Sequence, residues 1–100
     1  MIKSEDIQTL KILTEICRLM GDGNRLRILY LCMEEPHSVG DIAKRLEMSQ
    51  SLTSQHLRFL KAARLVESER RGKQVFYALY DEHIRCILND MYQHWSTDDH

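Results

Sequence analysis

Asp81, His83 and His94 are the residues whose types and spacing carry the sharpest chemical signature. A carboxylate and two imidazoles are donors that suit zinc, nickel or cobalt. On a helix, eleven residues bring His94 back to within about 20° of His83, on one face. The same eleven residues rise about 16 Å, whereas a zinc–nitrogen bond is about 2 Å long. One chain therefore cannot close a site with both histidines. Two such helices packed antiparallel about a two-fold axis can, with Asp81 and His83 of one meeting His94 of the other, twice per dimer. The plainer reading of the same residues is Asp81 as a helix N-cap and the histidines as solvated side chains.

A second constellation lies upstream. The segment Ser49-Gln50-Ser51-Leu52-Thr53-Ser54-Gln55-His56 opens a helix whose candidate outward positions are small or amide-bearing. Gln50 and Gln55 can bond adenine bidentately, and Ser51, Thr53 and Ser54 can reach base edges or phosphates. Bulky charge there would obstruct entry into a major groove. Arg58 and Lys61 continue the same helix, and Arg70, Arg71 and Lys73 surround Gly72 at the tip of a hairpin. Those cations suit phosphate contact or minor-groove insertion. His56, set among Leu52, Leu57 and Leu60, reads as a packing or capping histidine. Taken singly, a Ser/Gln-rich helix start is a good cap and a basic hairpin tip is ordinary solvated surface; in this order they point to DNA.

Charge supports that reading. The formal net charge is only −1, but residues 44–73 hold eight basic against three acidic residues, and the remainder holds six basic against twelve acidic. Segregation of this kind lets one face meet phosphate while the rest keeps the protein in solution. Catalysis finds no support. There is no H-E-x-x-H pattern and no glycine-rich phosphate loop, so an enzyme is not expected. Charges at Lys3, Glu5, Asp6, Lys11 and Glu15 speak against a signal peptide or membrane span at the start, and a soluble, cytoplasmic protein is expected. Cys17, Cys32 and Cys86 are odd in number and lack C-x-x-C spacing, so they read as small buried hydrophobes rather than a disulfide framework.

One hundred residues make one domain, 1–100, of mainly α class with a β-hairpin wing. Apolar spacing predicts a first helix over 5–20, through Ile7, Leu10, Leu13, Ile16, Cys17 and Met20. Gly21-Asp22-Gly23-Asn24 interrupts it. A second helix is expected from Arg25 to Glu35, ended by Pro36. Ser38, with Asp41 as a capping-box variant, starts a third over 39–46. Glu47-Met48-Ser49 is a tight turn. A fourth helix runs from Gln50 to Arg64, with Leu52, Leu57, Leu60 and Ala63 inward. Strands around the Gly72 turn follow. A last helix spans Asp81–Trp95 with Ile84, Ile87, Leu88, Met91 and Trp95 as its apolar stripe. The order is α-α-α-α-β-β-α, a winged helix-turn-helix.

These elements together resemble the ArsR/SmtB family. The resemblance is carried by Gly23-Asn24-Arg25-Leu26-Arg27-Ile28-Leu29, Ser38-Val39-Gly40-Asp41-Ile42-Ala43, Leu46, Ser49-Gln50-Ser51, Ser54-Gln55-His56-Leu57, Leu60, Leu65-Val66 and Gly72-Lys73-Gln74-Val75-Phe76-Tyr77. It implies a homodimer built on the first and last helices, double-stranded operator DNA with two-fold symmetry as partner, and a repressor released by an inducer. Metal-sensing members show D-x-H-x10-H-x2-[H/E] in the last helix. Asp81, His83 and His94 match it; the fourth position is Thr97, a poor ligand, for which His100, Asp98, Asp99 or water would substitute. Zinc is the metal implied first, with nickel and cobalt as alternatives. The C-x-C of arsenic, cadmium and lead sensors falls on Ser38 and Gly40, so that site is absent. A thiol- or persulfide-responsive regulator, or one without an effector, stands as the alternative.

Overall fold

The computed structural model describes residues 6–96. Thr97, Asp98, Asp99 and His100, named above as sources of a fourth ligand, lie outside the described residues. Five helices and three strands follow in the order α1 (Ile7–Met20), α2 (Gly23–Leu31), β1 (His37–Ser38), α3 (Val39–Leu46), α4 (Gln50–Ala62), β2 (Val66–Arg71), β3 (Gln74–Leu79) and α5 (Glu82–Trp95). The strands form one antiparallel sheet of order β1-β3-β2.

Each helix starts where an oxygen-bearing side chain can satisfy a free N–H. Asp6, Asp22, Ser38, Ser49 and Asp81 cap α1 to α5 in turn. Asp22 corrects the second helix. Its Oδ1 accepts from the backbone N–H groups of Asn24 and Arg25, so Gly23 and Asn24 are already helical rather than part of the interruption. The helix also stops at Leu31, well before Pro36. The chain needs residues 32–36 to reach the sheet edge, where His37 pairs with Tyr77 and Ser38 with Phe76.

The helix-turn-helix is closed by two left-handed residues. Glu47 (φ 56°) ends α3, with Met48 N–H donating to the Ala43 carbonyl and Glu47 N–H to Lys44. Arg64 (φ 61°) follows α4, with Leu65 N–H donating to Leu60 and Arg64 N–H to Lys61. Both are Schellman closures, normally made by glycine. The second ends α4 at Ala62, two residues earlier than its spacing predicts, and turns the chain into β2. The wing turn Gly72-Lys73 has Gly72 at φ 63°, the first central residue of a two-residue hairpin turn.

The core gathers Ile28, Leu29 and Cys32 from the α2 side, Ile42 from α3, Leu57 and Leu60 from α4, then Leu65, Val66, Leu79 and Leu88. Fully burying such side chains contributes about 1.5–3 kcal/mol each. Leu52, expected inward, is exposed instead. The terminal helices stand apart. No residue of α1 is buried, and α5 buries Leu88 alone. Ile7, Leu10, Ile12 and Leu13 of α1, and Ile87, Met91 and Trp95 of α5, are exposed in the single chain. Between the two helices lies an apolar cleft of about 620 Å³, floored by Leu65 and Leu88.

Candidate nucleic-acid interface and metal donors

The helix α4 is amphipathic in a way that sorts its polar residues. Thr53, His56, Leu57 and Leu60, at i, i+3, i+4 and i+7, face the core. Gln50, Ser51, Ser54, Gln55, Arg58 and Lys61 are exposed. Six of the expected DNA-contacting residues therefore share the solvent side of the second helix of a helix-turn-helix. Thr53 does not. It is fully buried, and its hydroxyl donates to the Ser49 carbonyl at 2.8 Å, so its assignment as a DNA contact is corrected to a core residue. The Gln50 side chain reaches back to α3: a Cβ on Gly40 would meet its amide nitrogen at an ordinary contact distance of 3.5 Å.

The wing continues this surface. Lys61 Nζ donates to Ser68 Oγ at 2.7 Å and ties α4 to β2. A shallow groove of about 550 Å³ between helix and wing is lined by Ser54, Arg58, Lys61, Ala62 and Tyr77. At the tip, Arg71 pairs with Glu69 at 3.1 Å and lies over the Phe76 ring at 4.8 Å. Arg70 bonds only weakly to the Gly72 carbonyl, at 3.5 Å. Arg70, Arg71 and Lys73 are all exposed. A cation anchored on a ring and flanked by two others is a surface suited to a polyanion.

Behind α4 lies a polar junction that composition and motif reading missed. Arg25 of α2 stands over Phe59 of α4 at 5.4 Å and donates to the Leu19 carbonyl at 3.4 Å. The Asp22 carboxyl is held below the usual carboxylate range, chiefly by the Arg25 backbone N–H, with the Asn24 N–H and the charges of His56 and Arg25 adding to it against the opposing effect of burial. His56 is buried, as its leucine neighbours suggest, and its Nδ1 has no partner among the described residues. This junction fixes α4 to the α1–α2 corner. A second one fixes α3 to the sheet. His37 Nδ1 lies 2.6 Å from Asp41 Oδ2, which also accepts from Arg45 Nε at 2.9 Å. Asp41 thus spends its carboxylate on its flanks and not on the backward bond of a capping box.

At α5 the expected donors take distinct places. Asp81 Oδ1 accepts the Ile84 N–H at 3.0 Å, and Oδ2 stands 3.6 Å from His83 Nδ1. Asp81 therefore caps the helix, and its second carboxylate oxygen stands beside the imidazole. His83 is almost wholly exposed. His94 is exposed too and packs edge-on against Trp95, ring centroids 4.8 Å apart. Within one chain, no three donors converge among the described residues. Asp81, His83 and His94 are side chains of the types that bind divalent transition metals.

Residues 22–68, from the cap of α2 to the middle of β2, match the sequence profile of bacterial regulatory proteins of the arsR family. The transcriptional repressor SmtB of Mycobacterium tuberculosis is 36% identical over 84 residues, covering 84% of this chain and 62% of SmtB. The transcriptional activator HlyU of Vibrio cholerae is 34% identical over 73 residues, 73% of this chain and 68% of HlyU. This chain belongs to the ArsR family. A Staphylococcus aureus homologue of the cadmium resistance regulatory protein CadC is 32% identical over 81 residues, 80% of this chain and 67% of its own length. The chain thus spans about three fifths to two thirds of the length of these curated relatives. The structure of reduced HlyU superimposes with a TM-score of 0.83 at 27% identity, over 95% of this chain and all of that one. The fold of HlyU is therefore shared across nearly the whole of this chain. No helix among the described residues is long and apolar enough to cross a membrane.

Proposed function

We propose that this ArsR-family protein is a dimeric, cytoplasmic transcriptional repressor that reads a two-fold symmetric operator with α4 and the wing. The observation that carries the reading is the sorting of α4: Gln50, Ser51, Ser54, Gln55 and Arg58 outward, Thr53, His56, Leu57 and Leu60 inward. It presents hydrogen-bonding side chains without bulk at the helix start, and cations flank them where phosphates would run. The dimer is supported by the apolar faces of α1 and α5, which one chain leaves uncovered. A second copy placed on that face turns the 1–100 unit into a pair of recognition helices about one two-fold axis.

We place the effector at α5. A divalent transition metal, zinc first with nickel or cobalt as alternatives, would be held by Asp81 and His83 of one chain and His94 of the partner subunit, and would supply a cross-link between the two terminal helices. Such a link regulates only if the DNA-free dimer geometry brings those donors together better than the DNA-bound one. A switch from 1:99 to 99:1 needs about 5.5 kcal/mol of such preference. A thiol-responsive regulator is the second reading, favoured by the exposure of Cys17 on α1 and Cys86 on α5.

The test selects duplexes from a random-sequence library and measures anisotropy of the winning duplex with zinc, nickel or cobalt. It is run on the wild type and on His83→Ala/His94→Ala. About tenfold weaker binding with one metal, in the wild type only, is expected. Metal-insensitive binding that responds to a thiol oxidant moves the effector to the cysteines. Failure to enrich any duplex removes the DNA-binding reading itself.

A further inference from the structure

The wing has two unlike faces, and one of them looks toward α4. Residues directly opposite on antiparallel strands point to the same side, and along one strand the sides alternate. Val66 pairs with Leu79 and both are buried, so their side of the sheet is the one that packs on the core. Two residues further out Ser68 pairs with Tyr77, and two beyond that Arg70 pairs with Val75, which puts all four on that same side. The bond from Lys61 Nζ to Ser68 Oγ agrees, since it comes from α4. The other side carries Glu67, Glu69, Arg71 and Phe76, and there Arg71 is tied to Glu69 and lies over the Phe76 ring.

The charges follow the faces. The groove of about 550 Å³ between α4 and the wing is lined by Ser54, Arg58, Lys61, Ala62 and Tyr77, with no carboxylate among them, and Arg70 lies further out on the same side of the sheet. Behind the wing, Glu67 and Glu69 outnumber Arg71. A polyanion is drawn to the front and repelled from the back. Four of the five lining side chains can donate a hydrogen bond to a phosphate oxygen. Tyr77 is the donor that residue type alone did not single out, because an aromatic side chain in a strand reads as packing. It sits on the middle strand, paired with His37 on one flank and Ser68 on the other, and is half-buried, so its place at the groove is fixed by the sheet.

We infer that this groove seats one backbone phosphate of each operator half-site, and that the Tyr77 hydroxyl donates to that phosphate together with Arg58, Lys61 and Ser54. This rests on the DNA-binding reading above. A phosphate held from the helix on one side and from the central strand on the other sets the depth and tilt at which α4 enters the major groove, a positioning contact that carries no sequence information itself.

The test is a methylphosphonate scan of the selected duplex, each phosphate neutralised in turn and binding of the full chain followed by anisotropy. The wild type, Tyr77→Phe, Arg58→Ala and Tyr80→Phe are compared, with circular dichroism to check folding; Tyr80 is exposed beyond the end of β3 and serves as the control. One neutralised phosphate per half-site is expected to cost the wild type and Tyr80→Phe at least about tenfold. Tyr77→Phe, which keeps the ring and loses only the hydroxyl, should bind the unmodified duplex about tenfold more weakly. Its penalty at that one phosphate should shrink, as should that of Arg58→Ala, while penalties at the other phosphates stay as in the wild type. An enriched duplex that Tyr77→Phe binds as tightly as the wild type overturns the seat and leaves the DNA-binding reading intact. A weaker Tyr77→Phe with an unchanged scan overturns it too, by making the hydroxyl structural. Failure to enrich any duplex removes the DNA-binding reading and the seat with it.

Discussion

His37 Nδ1 and Asp41 Oδ2 lie 2.6 Å apart, joining the edge strand β1 to the first turn of α3. The His37 hydrogen bond, with Arg45 on the other side, holds the Asp41 carboxyl below its usual value of 3.8, against a smaller opposing effect of burial. A group whose folded pKa is lowered contributes stability above its unfolded pKa and loses it as pH falls through the folded value. Asp41→Asn keeps the backbone N–H that bonds Ser38 Oγ and removes only the charge. Denaturant titrations from neutral pH to below 3.8 should show the wild type losing its advantage over Asp41→Asn in the acid range. Parallel curves for the two proteins would show that the carboxylate is not held by His37.

The three thiols should separate cleanly by reactivity. Cys32 sits in the core, and burial pushes its pKa up to about 12, so it is a protonated, shielded thiol at neutral pH. Cys17 and Cys86 are exposed. A chromogenic disulfide should titrate two thiols in the metal-free native protein and the third only after denaturant is added. Rapid modification of Cys32 in the folded protein would contradict its place among Ile28, Leu29 and Leu60.

Much of this was written in the amphipathic periods, and the exceptions have physical reasons. The inward Leu57 and Leu60, the cap Ser38 and the Gly72 turn were legible because local rules suffice for them. Thr53 was misread because its residue type matches its exposed neighbours, although its i+3, i+4 and i+7 companions His56, Leu57 and Leu60 were there to be counted. A two-residue strand such as β1 has no period to detect; only its pairing with Tyr77 and Phe76 defines it. The same is true of Arg25 on Phe59, a contact between residues 34 apart in sequence. At α1 and α5 the apolar stripes were legible, but what covers them lies outside a single chain.

The burial of Thr53 makes a contrast that operator binding can read. Thr53→Val should leave affinity for the selected duplex within about twofold, with a stability change of about 1 kcal/mol for the lost hydroxyl bond to Ser49. Gln55→Ala, on the opposite face, should cost about 1–3 kcal/mol of binding if its amide reads a base. Equal losses for the two substitutions would mean that α4 rotates on DNA and that the free structure does not give the reading face.

Salt dependence should identify the wing cations. Arg70 and Lys73 are exposed beside the Gly72 turn, while Arg71 is partly engaged by Glu69. Each phosphate contact adds about 0.9 to the slope of log affinity against log salt. Arg70→Ala/Lys73→Ala should weaken binding to all sequences alike and lower that slope by about 2 per wing. An unchanged slope with lost affinity would assign them to base readout in the minor groove instead.

Glu47 closes α3 at φ 56° without being glycine, immediately before the turn that aims α4. A left-handed conformation costs a side-chain-bearing residue about 1–2 kcal/mol relative to glycine, and glycine returns part of that through its larger unfolded-state entropy. Glu47→Gly should therefore raise stability by about 0.5–1 kcal/mol, a shift of a few degrees in Tm at fixed protein concentration. Affinity for the selected duplex is the second readout. A more stable protein that binds DNA as before marks Glu47 as a tolerated strain. A more stable protein that binds more weakly shows that the stiffness of a side-chain-bearing residue here helps hold α4 at the angle the operator requires. A drop in stability would mean that the Glu47 side chain contributes more than its backbone strain costs.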